Sequence, residues 1–131
     1  MKRILTLLLL LSGFTALAQN QQPQTPEQQE KQLTEYIDKE VKRLSDLLNL
    51  EYWQEFYVDS TLSYNLHERA REMQEMQKAK VENTDLYQAV SDKWMQRTDD
   101  AYKRFFTPDQ WKKYWKNTGK RAQKDRDKRK K

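Results

Sequence analysis

From Leu33 onward the large apolar side chains fall at steps of three and four. Leu33, Tyr36, Ile37, Val41, Leu44, Leu47 and Leu48 form one series. Trp53, Phe56, Tyr57, Ser60 and Tyr64 form a second, carried on by Leu62, Leu66, Met73 and Met76. Tyr87, Val90, Trp94, Thr98, Ala101, Tyr102 and Phe105 form a third. That period lays a stripe along one face of a helix. Between Glu27 and Thr107 there is neither a glycine nor a proline, which a turn-rich β protein would need. The expected fold is all-α.

Capping chemistry sets the expected boundaries. Thr25-Pro26-Glu27-Gln28 and Thr107-Pro108-Asp109-Gln110 share one design: a hydroxyl at the N-cap, proline at the first helical position, an acid at the positive helix end, and a glutamine placed to reach back. Asn83-Thr84-Asp85 is the best interior break, because short polar side chains compete with helical hydrogen bonds and then cap the next helix. Four helices follow, near 26 to 48, 51 to 82, 85 to 106 and 108 to 123. The second would run about 48 Å at 1.5 Å per residue, so an elongated helical hairpin is expected. The opposite faces carry acid-before-base pairs four residues apart: Glu27 with Lys31, Glu35 with Lys39, Asp38 with Lys42, Asp99 with Lys103, Asp100 with Arg104 and Asp109 with Lys113.

The amino terminus reads differently. Met1-Lys2-Arg3 is a basic start, Ile4 to Leu17 is an apolar run, and Ala16-Leu17-Ala18 is an Ala-x-Ala cleavage site. This has the form of a secretory signal peptide over 1–18, shorter than the roughly 20 residues of a spanning helix. With no cysteine after the site, a lipid anchor on a new terminal cysteine is excluded. The expected location is outside the cytoplasm, with a Gln-rich linker over 19–25, a helical domain over 26–119 and a basic tail over 120–131.

Composition narrows the chemistry. The 131 residues hold 25 Lys or Arg against 20 Asp or Glu, one histidine and no cysteine, which removes disulfide scaffolds, thiolate metal sites and cysteine nucleophiles. Beyond residue 18 only 16 residues are Leu, Ile, Val or Phe, and 4 Trp, 7 Tyr and 3 Met complete an aromatic-heavy apolar set. So modest a core points to completion by a second copy of the chain. The basic excess sits in the tail: Lys120, Arg121, Lys124, Arg126, Lys128, Arg129, Lys130 and Lys131 stand against two aspartates there, whereas residues 19–119 carry 15 basic and 18 acidic side chains. Lacking apolar periodicity, the tail reads as a solvated, frayed terminus. Its suitable partners are anionic lipid headgroups or acidic protein segments, and nucleic acid is not expected outside the cytoplasm.

No catalytic or cofactor constellation stands out. His67 has Glu68 and Glu72 nearby, but Arg69 and Arg71 would oppose a cation, and a metal site wants several converging ligands. Asp99 and Asp100 are adjacent on a helix and diverge around its axis, so they read as solvated partners of bases rather than an acid/base pair. Gly119 is the sole glycine past residue 18, which leaves no phosphate-cradling loop or nucleophile elbow. An enzyme is not expected, nor any cofactor. Trp53, Phe56, Tyr57, Tyr64, Met73, Met76, Trp111 and Trp115 are candidates for an exposed, adaptable apolar surface, because a two-layer hairpin has too few inner positions for all its aromatics. Core packing is the default for side chains at this helical spacing, and the sequence does not divide the packed from the exposed.

Two stretches repeat. Leu-Asn-Leu-Glu-Tyr-Trp-Gln-Glu-Phe-Tyr at 48–57 and Arg-Phe-Phe-Thr-Pro-Asp-Gln-Trp-Lys-Lys-Tyr at 104–114 each join an apolar helix end to a glutamine and then to aromatics. Here the chain resembles the Spy/CpxP family of periplasmic helical chaperones and stress adaptors, marked by a repeated LTxxQ motif. Phe106, Thr107 and Gln110 follow the motif in the second copy; Leu50 and Gln54 keep it in the first, where Glu51 replaces the threonine. With that hydroxyl gone, Asn49 is a candidate cap one turn earlier. The resemblance covers residues 39–118. It implies a bent helical hairpin paired into a cradle-shaped homodimer that holds unfolded or stressed envelope proteins without ATP. It also implies, as an alternative, an adaptor docking on a membrane sensor. A third reading is a protein that binds anionic envelope surfaces through its basic tail.

Overall fold

A computed structural model describes residues 23–131, so the expected signal peptide and residues 19–22 lie outside the described residues. All the regular structure described is helical, with no strand among those residues. Helix α1 spans Pro26–Leu48, α2 Tyr52–Lys78 and α3 Thr84–Phe105. A fourth helical run begins as α4 (Pro108–Tyr114), passes through a π turn (Trp115–Gly119) and ends as α5 (Lys120–Arg129). Right-handed helical dihedrals at Tyr114, Trp115, Gly119 and Lys120 make it continuous.

The expected caps form. At the start of α1, Gln28 N–H donates to Thr25 Oγ1 and Thr25 N–H donates to Gln28 Oε1. Thr107 and Gln110 exchange the same pair at α4, at 3.2 and 2.9 Å. Asn83 Oδ1 accepts from Asp85 N–H ahead of α3.

The helix ends depart from expectation in three places. Asn49 is not an N-cap: it takes a positive φ of 51° after Leu48, and Leu50 N–H reaches back to the Ser45 carbonyl. This is a Schellman stop for α1, and Glu51 becomes the N-cap of α2. The second helix ends at Lys78, not near 82, because Lys80 adopts φ 59° and Val81 N–H returns to the Met76 carbonyl, a second Schellman stop. The fourth run does not fray after 123. Its buried positions step by five across the π turn, from Tyr114 to Gly119, and then by seven to Arg126. A π turn inserts one residue per turn and rotates the following helix face. Here that rotation places Arg126, 1% exposed, beside Asp99 of α3.

From Leu33 onward one core forms. Ile37, Leu44 and Leu48 of α1 pack with Val58 and Leu62 of α2, Tyr102 of α3, Leu50, Phe106 and Tyr114. Tyr102 stacks on Phe106 at 5.0 Å and meets Tyr114 edge-on at 5.4 Å, so aromatics supply much of the core area. Helices α2 and α3 run antiparallel. Tyr57 faces Phe105 near one end, Asn65 Nδ2 donates to Thr98 Oγ1 at 2.9 Å in the middle, and Trp94 Nε1 donates to Glu72 at 2.7 Å further along. Arg43 ties α1 to the π turn by donating to Asn117 Oδ1 and Thr118 Oγ1.

Some charge pairs change partner. Lys42 pairs forward with Asp46, both well exposed, rather than with Asp38. Asp100 accepts from Gln96, and Asp99 turns away from Lys103 into the interior.

Candidate functional site: the motif joint and its aromatic platform

The two motif copies meet. Gln54 and Gln110, 56 residues apart, exchange hydrogen bonds in both directions, Gln54 Nε2 to Gln110 Oε1 at 2.6 Å and Gln110 Nε2 to Gln54 Oε1 at 3.1 Å. Each carboxamide oxygen also accepts from the N-cap backbone of its own helix, Glu51 N–H for Gln54 and Thr107 N–H for Gln110. Each amide nitrogen then crosses to the other copy. Gln54 Nε2 donates to the Phe105 carbonyl, where α3 ends, and Gln110 Nε2 donates to the Leu48 carbonyl, where α1 ends. The last carbonyls of a helix have no partner within it, so each glutamine satisfies an orphan group left by the helix preceding the opposite motif. The joint has approximate two-fold symmetry. Leu50 and Phe106, the apolar members of the motif, are buried beside it. With no hydroxyl at 51, the first copy keeps its cap through Gln54, while the Glu51 carboxylate accepts from Trp53 Nε1.

This joint fixes the start of α2, and with it a group of exposed aromatics. Trp53, Phe56 and Tyr57 are 48, 68 and 50% exposed. Tyr57 meets Trp53 at 6.0 Å and Phe56 at 5.9 Å edge-on, and leans on Phe105 at 5.7 Å. Tyr52, in the same turn, is 90% exposed. Sequence reasoning passed over Tyr52, although its place beside Trp53 in the first turn of the helix was the available clue. Ser45 and the Glu55 carboxylate join α1 to α2 below it.

The remaining candidates divide. Tyr64 is exposed but packs edge-on against Trp94 at 6.4 Å. Met73 and Met76 are only part-buried, and from Tyr57 to Met73 the helix advances about 24 Å at 1.5 Å per residue, so they do not join the platform. Trp111 and Trp115 are part-buried. Trp111 packs against the core and tilts on Tyr114 at 5.6 Å, while Trp115 is part-buried and lies over Gly119, where an added Cβ would meet its ring at 2.6 Å. They belong to the packing of the fourth run.

The basic tail also divides. Lys120, Arg121, Lys124, Lys128, Lys130 and Lys131 are exposed, whereas Arg126 donates through Nη2 to Asp99 at 2.9 Å, to Gln123 and to Gln96. Arg129 binds both oxygens of Asp92, at 2.8 and 2.6 Å. Its donated hydrogen bond is the chief reason that the Asp92 carboxyl titrates below the ordinary range. Asp99 also accepts from Tyr114 Oη at 2.6 Å. Burial, with the Asp99 carboxylate alongside, pushes the Tyr114 hydroxyl far above the usual phenol range, and burial does the same for Tyr102. Sequence reasoning missed this buried triad of Asp99, Tyr114 and Arg126, which the interval of seven from Gly119 to Arg126 foreshadows.

His67 is exposed, its ring Nδ1 beside the Ser63 carbonyl. Among the described residues no group of three or more His, Asp or Glu converges as metal ligands would, and no helix is long and apolar enough to cross a membrane. Comparison of the chain with protein-family models, with curated proteins and with solved structures returns no match.

Proposed function

We propose that this protein is an exported, ATP-independent chaperone of the Spy/CpxP kind that holds unfolded or aggregation-prone envelope proteins, working as a homodimer. The observation that carries the reading is the platform of Trp53, Phe56 and Tyr57, contiguous aromatics left open to solvent, with Tyr52 exposed in the same turn, at a helix start that the hydrogen bonds of the motif joint fix in place. Single exposed apolar residues are ordinary on any surface, but a contiguous group marks a contact site. Aromatics bind with large area and few rotamers to fix, which suits varied extended clients. The reciprocal glutamines support the likeness to the repeated motif, since they give both copies one structural purpose.

The test is light scattering of a chemically unfolded, aggregation-prone protein diluted into this protein without ATP. Suppression at near-stoichiometric amounts is expected, and it should be lost in a Trp53→Ser, Phe56→Ser, Tyr57→Ser variant whose helicity is unchanged. No suppression with several unrelated clients would remove the chaperone reading and leave the sensor-docking adaptor in its place.

A further inference from the structure

From Asp109 to Lys131 every exposed residue is Lys, Arg, Asp or Asn. The apolar side of this fourth helical run faces the core through Trp111 and Tyr114, so its outer side offers charge and no apolar contact. Lys112, Lys116, Lys120, Lys124 and Lys128 follow one another there at intervals of four, and all five are exposed. None of them forms an ion pair with an acidic side chain among the described residues.

The π turn aligns the five. At 3.6 residues per turn a four-residue step overshoots a full turn by about 40°, so four such steps along an uninterrupted α-helix would leave Lys128 about 160° around the axis from Lys112. The π turn over Trp115–Gly119 inserts one residue, which is worth about 100° of rotation. Subtracting it leaves the first and last lysines about 60° apart along a line of about 22 Å. The same insertion carries Arg126 inward to Asp99, so the ion pair that anchors α5 also holds the lysines outward. Lys113 and Arg121 widen the row on one flank, where Asp125 is the opposing acid, and on the other flank Asp127 accepts from Gln123.

We propose that this lysine row is a docking surface for the headgroup plane of an anionic phospholipid bilayer, against which the fourth helical run lies lengthwise. A straight helix touches a plane along one line, and the row supplies that line with positive charge. The ammonium is a compact point charge that needs no fixed fork of acceptors, which suits headgroup phosphates that shift laterally. A protein partner fits less well, because interface centres are depleted in lysine and are built on aromatic or arginine anchors seated in pockets. With no exposed apolar residue the helix has nothing to place among acyl chains, so it adsorbs by charge alone and salt releases it. Lys112 and Lys116 precede residues 120–131, so the surface extends beyond the basic tail of the sequence reading, and it is helical where that tail was expected to fray. The proposal does not rest on the chaperone reading.

The test is co-sedimentation of the protein with phosphatidylcholine vesicles that contain or lack phosphatidylglycerol, at low and at high salt. Binding that needs phosphatidylglycerol and falls as salt rises is expected. Lys112→Gln with Lys116→Gln, and separately Lys124→Gln with Lys128→Gln, should each weaken it about twentyfold at low salt, from about fivefold for each lysine near a charged membrane surface. Lys39→Gln with Lys78→Gln removes the same charge from exposed positions off the row and should change binding less than about twofold. All six side chains are exposed, so helicity by circular dichroism should be the same in every variant. Equal weakening by the row and off-row pairs, weakening confined to the Lys124 and Lys128 pair, no dependence on phosphatidylglycerol, or binding to polyglutamate or duplex DNA without binding to the vesicles, overturns the proposal.

Discussion

Gln54 and Gln110 each cap the helix they begin and, across a 2.6 Å contact with one another, each satisfy the last carbonyl of a helix from the opposite half of the chain. A glutamine suits this task because its oxygen accepts and its nitrogen donates twice, whereas glutamate could cap but could not cross. Replacing either by alanine orphans a carbonyl in a part-buried joint and should cost about 1 to 3 kcal/mol. The double variant should cost less than the two single effects together, because the first substitution already breaks the exchange. Urea unfolding of all four species measures this, and strict additivity would mean that the two residues are uncoupled.

The buried pair of Arg126 and Asp99 makes the final helix part of the fold. Arg126→Met leaves a carboxylate enclosed with only the Tyr114 hydroxyl for company, at an expected cost of about 3 to 5 kcal/mol. Asp99→Leu combined with Arg126→Met should recover most of that stability, as apolar replacements of buried ion pairs commonly do. Chain termination after Gly119 should destabilise like the single variant. A terminated chain as stable as the full one would show that residues 120–131 are dispensable.

Alkali should unfold the protein through its buried phenols. Tyr102 and Tyr114 are held protonated by burial, with carboxylates nearby adding to the effect, so their folded values lie above the ordinary phenol value of 10.0. A folded value raised above the unfolded one gives stability that is complete below the unfolded value and declines as pH rises past it. Above pH about 10 each should remove up to about 1.4 kcal/mol per pH unit. Denaturant melts between pH 8 and 12, followed by phenolate absorbance, would show these two rings ionising only with unfolding. Their titration near pH 10 in the folded protein would contradict their enclosure.

Lys80 stands at φ 59°, a conformation that costs an L-residue about 1 to 2 kcal/mol and a glycine almost nothing. Lys80→Gly should therefore raise stability by about 0.5 to 1 kcal/mol after the extra chain entropy of glycine is counted. Asn49→Gly, at φ 51°, should gain less, because asparagine tolerates this region. A shift in thermal midpoint for the lysine change larger than for the asparagine change is the expected result, and a loss of stability in the former would refute the role of Lys80 in the helix stop.

The helical period, the capping sequences at Thr25, Asn83 and Thr107, and the break near Asn83 were all legible in the sequence, because a helix face and its caps depend on residues three or four apart. The repeat of a glutamine at 54 and 110 was legible as well. Its purpose was not, since the contact joins residues 56 positions apart and only the packing of α1 against α3 and α4 brings the orphan carbonyls within reach. The aromatics at 53, 56, 57, 111 and 115 share one periodicity, and nothing local separates them; packing against the core and Tyr114 part-buries Trp111, contact with Gly119 part-buries Trp115, and the first three stay open. The tail shows why composition misleads where a charged residue has a distant partner. Eight bases in twelve residues describe a solvated end unless a buried carboxylate elsewhere in the chain holds one of them, and Asp99, 27 residues earlier, does so for Arg126. Local hydrogen bonding decided where the helices start and stop. Non-local burial decided which of their side chains remain available to bind anything.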